Sequence, residues 1–219
     1  MKESYFTKEN IEKRAELFLN QLRNDKKQKD IQFIPEYSAL IVIDMQRYFI
    51  DSNSHAYIPS SIAIIDKIQD LIKAYNHAHL PVIFTRHLNT DKNAGLMSEW
   101  WKEIVTEDNE LSVIIPELEC SNAITINKSQ YDAFHDTHLE KILKELNIKQ
   151  VVITGVMTHL CCDTTARSAF VRGFKPFFPI DATATYNEEF HKATFTNLSH
   201  GFTIPVITRE LLEIIIENK

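Results

Sequence analysis

The chain has 219 residues, of which 44% are hydrophobic and 25% charged, with a net charge of −6. That is the make-up of a globular domain with one sizeable core, and the negative balance, without a basic stripe, argues against nucleic acid as a partner. No apolar run reaches the ~18 residues of a membrane span, no apolar leader is expected in MKESYFTKENIEKR, and four glycines leave no Gly-rich phosphate cradle. The three cysteines, Cys120, Cys161 and Cys162, are odd in number and two are adjacent. They make a poor disulfide framework and suit reduced thiols in a cytoplasm.

Residues 7–24 read as a helix, with Ile11, Ala15, Phe18, Leu19 and Leu22 on one stripe. The charged run 23–30 reads as a solvated turn, so residues 1–30 form an N-terminal helical extension whose packing partner is left open. Residues 39–43 (ALIVI) read as a doubly buried strand that ends at Asp44. A helix is expected over 59–79, with Ile62, Ile65, Ile68, Ile72 and Tyr75 inward, and a second strand over 81–85. Residues 86–117 form a connection long enough to serve as a lid or pocket wall. Trp101 is expected to close it over a planar ligand, and Trp100 to be core or interface.

The third strand is expected over 123–127, followed by Lys128, and a helix over 133–146 places His135 and His138 one turn apart as a surface pair. The fourth strand, 151–154, is stopped by Gly155. Thr158 then reads as the N-cap of a helix over 159–172, with Gly173 as its end. That start puts Cys161 near unpaired N–H groups and the positive end of the helix dipole, both of which favour a thiolate. A fifth strand over 176–180 with Asp181, a helix over 187–200, a sixth strand over 204–207 and a closing helix over 210–217 complete the pattern.

Strands alternating with helices predict an α/β fold: a mostly parallel six-stranded sheet covered by helices on both faces. Ligands bind such sheets at the carboxyl ends of the strands. Asp44, Lys128 and Cys161 all fall there, which proposes a nucleophile, a carboxylate base and a cation within reach of one another. The Cys161 N–H is a candidate oxyanion donor. Taken singly, Asp44 reads as a cap, Lys128 as a loop charge and Cys161 as a packing residue; the shared sheet edge favours a site.

The segments ALIVIDMQRYF, NKSQYDAF and GVMTHLCCDTTARSAFVRGF resemble, in order and spacing, the signature blocks of the isochorismatase-like cysteine hydrolase superfamily. The likeness covers residues 34–219, within a domain 31–219. It implies a catalytic triad of Asp44, Lys128 and Cys161, a cis peptide between Val156 and Met157, and an oxyanion hole formed by the N–H groups of Met157 and Cys161. It also implies a homodimer or homotetramer acting on a small molecule. Nicotinamidases of this superfamily carry a metal-binding set near a DWHP-like motif, where this chain has TRHLNTDKNAG. No metal or other cofactor is therefore expected; His55 and His87 are possible ligands but read rather as exposed or pocket histidines. Isochorismatases carry Gly where this chain has Cys161, so the thiol points to acyl transfer on an amide or ureide. Phe49, His87, Trp101 and His159 are candidate pocket residues, with Tyr131 and Phe134 as structural packing and Thr164, Thr165 and Arg167 as helix surface and packing residues. The alternatives are vinyl-ether hydrolysis with Asp44 as acid, and a non-catalytic binding or redox-sensing protein.

Overall fold

The computed structural model describes residues 1–24 and 31–217; residues 25–30 of the expected charged turn lie outside the described residues. The first helix, α1 (Ile11–Asn24), buries Ile11, Ala15, Phe18, Leu19 and Leu22, the stripe its spacing predicts. It starts four residues later than expected, because residues 7–10 form a turn in which Asn10 Oδ1 accepts the Thr7 N–H (2.9 Å). This helix packs on its own domain: Phe18 meets Phe195 edge-on, and Arg14 and Arg23 pair with Glu188 and Glu210.

Strand β1 (Ser38–Ile43) is buried at all six positions. A short helix α2 (Arg47–Ile50) and the long α3 (Ser61–His77) follow. Ile65, Ile68, Ile72 and Tyr75 of α3 face inward as expected, whereas Ile62 is exposed. Strand β2 (Val82–His87), a one-turn helix α4 (Met97–Trp100) and strand β3 (Ile124–Lys128) come next. Helix α5 spans only Leu139–Glu145. The expected first turns are lost because short polar side chains capture the backbone. Asp132 accepts the Phe134 N–H (2.8 Å), and Thr137 Oγ1 donates to the Ala133 carbonyl (2.6 Å). Asp136 takes a left-handed φ of 51°. His135 and His138 therefore share no helix, and Leu146 is exposed.

The chain closes with β4 (Gln150–Val156), α6 (Asp163–Val171), β5 (Lys175–Pro179), β6 (Thr183–Ala184), α7 (Glu188–Gly201), β7 (Ile204–Val206) and α8 (Thr208–Glu217). The parallel sheet runs β3-β2-β1-β4-β5-β7. The six expected strands are present, and a seventh, β6, pairs with the end of β4 through Gly155 and Val156. Two residues are too few to leave a periodic signal. The strand order reverses between β1 and β4, the switch point at which doubly wound sheets open a crevice. Among the described residues, no helix is long and apolar enough to cross a membrane.

Gly155 does not end β4; it lies within it, at φ +102°. A Cβ there would lie 2.1 Å from the Ile43 carbonyl oxygen, so glycine is what lets β4 approach β1 just before Asp44. Gly155→Ala is expected to cost roughly 2–6 kcal/mol through strain and overpacking together. Urea denaturation checks this; a loss below about 1 kcal/mol would contradict it.

Candidate active site

Asp44 leaves β1 with φ 48°, a conformation that Asp tolerates better than most residues. Thr85, on the neighbouring strand β2, holds it twice. The Thr85 hydroxyl donates to Asp44 Oδ1 (2.6 Å) and accepts the Asp44 N–H (3.1 Å). The other oxygen, Oδ2, is 2.7 Å from Lys128 Nζ, and both side chains are completely buried. Lys128 closes β3 and also donates to the Gln130 carbonyl (2.9 Å). Cys161 Sγ is 3.4 Å from the same ammonium. The three residues placed at strand ends by the sequence thus meet, and Thr85 is the positioning residue that sequence reasoning missed. A threonine inside a buried apolar strand was the available signal.

His87, the last residue of β2, joins them. Its Nε2 lies 2.8 Å from Asn89 Oδ1, and Asn89 Nδ2 donates to the Ser129 carbonyl (2.9 Å), which turns Oδ1 towards the ring. Nε2 therefore carries the proton, and Nδ1 faces Lys128 Nζ at 3.4 Å. Burial, reinforced by the Lys128 charge, lowers the His87 pKa to about 4, so the ring is neutral. Gln46 pins the His87 backbone, accepting its N–H (2.7 Å) and donating to its carbonyl (3.1 Å).

The segment carrying Cys161 departs from the expected helix. Residues 158–162 form one π turn, and α6 begins only at Asp163. The Met157 carbonyl accepts the N–H groups of Leu160 and Cys162. Thr158 makes no side-chain cap; its hydroxyl lies 3.2 Å from His191 Nδ1. Single π turns of this kind recur at functional sites. The Val156–Met157 peptide is cis.

The surroundings of the sulfur differ from those expected to favour a thiolate: Cys161 is buried and lies ahead of the helix start. Burial pushes the Cys161 thiol up to about 12; Lys128 pulls it down, but the Asp44 carboxylate, which accepts from the thiol, opposes that pull. For Lys128, burial works against the charge and the Asp44 carboxylate is the foremost group working for it, and the balance raises it above the ordinary lysine range. The ammonium is thus paired with the carboxylate, and burial favours the neutral thiol over the thiolate. At pH 8, iodoacetamide should label Cys161 on the order of 10²–10³ times more slowly than a free cysteine, whose pKa is ~8.5. The rate should still rise at pH 10, as followed by peptide mass spectrometry. A plateau below pH 9 would contradict this.

Cys161 opens into a cavity of about 250 Å³. Phe49, His87, Trp101 and Met157 line it, as do Tyr48, His55, Tyr131 and Tyr186. The long connection supplies Trp101 and its neighbours up to Val105, as its length predicts; Trp100 points outward and is 77% exposed. Tyr131 is a wall residue rather than mere packing, and its hydroxyl accepts the Trp101 Nε1–H (2.8 Å). His159 does not line the cavity. Its ring stacks on Phe190, 4.5 Å between centroids, and its Nδ1 bonds the Thr185 hydroxyl. Phe134 stacks on Phe174, Thr165 accepts the Ala133 N–H, and Arg167 pairs with Asp163, all as packing. Tyr186 was beyond sequence reasoning because it follows the two-residue strand β6.

Residues 38–210 match the model of the isochorismatase domain family. The chain is 38% identical over 190 residues to nicotinamidase 3 of Arabidopsis thaliana, a match covering 83% of this chain and 90% of that one. The chain belongs to the isochorismatase family. Another relative, enterobactin synthase component B of Escherichia coli, is 32% identical over 84% of this chain and 65% of its own length. In fold, this isochorismatase-family hydrolase is similar to a cysteine hydrolase from Pseudomonas syringae pv. phaseolicola (TM-score 0.82, 24% identity, 89% and 99% of the chains). It is also similar to a pyrazinamidase of Pyrococcus horikoshii solved in complex with zinc (TM-score 0.70, 24% identity, 78% and 99%).

Among the described residues, the one group of three His, Cys, Asp or Glu side chains close enough to share a metal is Asp44, His87 and Cys161, with donor atoms within 4.8 Å of one another. Lys128 Nζ already engages all three, at 2.7, 3.4 and 3.4 Å. An ammonium among these donors fills the place of a cation, so they do not fit a resident metal. His55, the other histidine on the cavity wall, is held between Glu103 (3.2 Å) and the Tyr48 hydroxyl (3.2 Å).

Proposed function

We propose that this protein hydrolyses the C–N bond of a small planar amide through a thioester on Cys161. The observation that carries the reading is the Cys161 sulfur at the cavity wall, with the Asp44–Lys128 pair buried directly behind it. As the sulfur attacks the carbonyl carbon, Asp44 takes the thiol proton, and the negative charge passes from carboxylate to substrate oxygen. The N–H groups of Met157 and Cys161 receive that oxyanion. Asp44 then gives its proton to the departing nitrogen, and ammonia or an amine leaves the thioester behind. Water attacks next and yields its proton to Asp44; the acid departs and the proton returns to sulfur. Lys128 keeps a compensating charge beside Asp44 at every stage, and the thiol never needs to ionise before it meets substrate.

A cavity of about 250 Å³ walled by aromatic rings suits one planar ring. The name of the Arabidopsis relative makes nicotinamide the first amide to test. The test is turnover in the presence of hydroxylamine, which diverts a thioester to a hydroxamate. Hydroxamate rising at the expense of the free acid is the expected outcome. Hydrolysis of an amide with no hydroxamate at saturating hydroxylamine would remove the thioester.

A further inference from the structure

The chemistry above uses nothing from residues 1–6, which precede the family match at residue 38. Yet these residues lie against the cavity. Tyr5 and Phe6 are buried. The Tyr5 hydroxyl accepts the Thr185 N–H (3.0 Å) and lies 3.1 Å from His191 Nδ1. The same His191 nitrogen faces Thr158, the first residue of the turn that carries Cys161. The Glu3 N–H donates to the Tyr186 carbonyl (2.8 Å), and the Glu3 carboxylate accepts the Glu188 N–H. The Lys2 ammonium donates to the His55 carbonyl and stands 4.6 Å from the centroid of the Tyr186 ring. His55 and Tyr186 line the cavity from two loops that are far apart in the sequence.

We infer that the segment 1–6 is a strap that sets the width of the substrate cavity. Tyr5 is its anchor, and Lys2 is the positioning residue that ties the His55 wall to the Tyr186 wall. The physical basis is where the backbone bonds of the Tyr186 loop go. The loop follows a strand of only two residues, and three of its bonds run to the strap: the Thr185 N–H, the Tyr186 carbonyl and the Glu188 N–H. Loosening the strap frees that wall to move away from Cys161, so larger molecules gain entry. The strap acts on access to the sulfur, whatever reaction the sulfur performs.

The test is the ratio of N-phenylmaleimide to iodoacetamide labelling at Cys161, measured by peptide mass spectrometry in the full-length protein at one pH. A ratio cancels the thiol's own reactivity, so it remains readable even if the hydrolytic reading fails. Lys2→Met should raise the ratio roughly two- to fivefold, the span of a single exposed cation contact. Lys2→Arg, which keeps the cation, should leave it at the wild-type value. Tyr5→Phe keeps the ring but strands the buried Thr185 N–H. It should raise the ratio about fivefold or more and speed hydrogen exchange at Thr185. An unchanged ratio in folded Lys2→Met and Tyr5→Phe protein would overturn the strap. If Tyr5→Phe does not fold, an unchanged ratio in Lys2→Met alone overturns it. An equal rise in Lys2→Met and Lys2→Arg would overturn the role of the Lys2 charge.

Discussion

Cys161→Ala is expected to lower kcat/KM for amide hydrolysis on the order of 10⁴-fold or more, the loss seen when a covalent nucleophile is removed. The fold should survive. The substitution deletes one sulfur atom that faces an existing cavity, and the π turn is held by the Met157 carbonyl rather than by the side chain. Cys161→Ser should be nearly as inactive. Asp44 can accept a proton from a thiol but is a poor base for an alkanol, and His87 is poorly placed to replace it, because burial makes its ring a weak base and its Nδ1 is turned to Lys128. Steady-state turnover of an amide panel, with far-ultraviolet circular dichroism as a control for folding, checks this. Amide turnover that survives in folded Cys161→Ala protein would eliminate the nucleophile. Retained activity on a vinyl ether alone would shift the chemistry to acid catalysis by Asp44.

The second large effect lies in the Asp44–Lys128 pair. Both side chains are fully buried at 2.7 Å, so removing one strands the other's charge in a dry interior, at a cost of about 3–5 kcal/mol. Asp44→Asn leaves an ammonium without its carboxylate, and Lys128→Met leaves a carboxylate without its ammonium. Each should lower the urea midpoint markedly and abolish turnover. The double variant Asp44→Asn/Lys128→Met removes both charges and should be more stable than either single variant, while remaining inactive. That separation of stability from activity marks a pair kept for chemistry. A double variant no more stable than the worse single would show that the two charges are not coupled.

Much of this was legible from local pattern. The apolar run 39–43, the inward stripe of α1 and the alternation of strands and helices are short-range regularities, and each reappears in the structure. Topology then carried three reactive residues to one sheet edge, because parallel strands connected by helices present the same end; the strand order β3-β2-β1-β4 and the reach of Lys128 brought Asp44, Lys128 and Cys161 together. What misled was the reading of their surroundings. A cysteine just after a strand looked like the start of a helix, with a thiolate favoured by the dipole. The helix in fact begins four residues later than expected, at Asp163, and burial favours the neutral thiol.

The sequence by itself determined the layering of this protein, the ends at which its chemistry lies and the residue types available there, because those follow from periodicity and connection rules that operate within tens of residues. Only the tertiary structure decided the burial of Cys161 against Lys128, the hold of Thr85 on Asp44, the pairing of Trp101 with Tyr131, the docking of α1 on its own domain and the contact of residues 1–6 with the Tyr186 wall. Each depends on groups brought together from distant parts of the chain, and on how much water their packing excludes. Neither quantity is carried by any local stretch of residues.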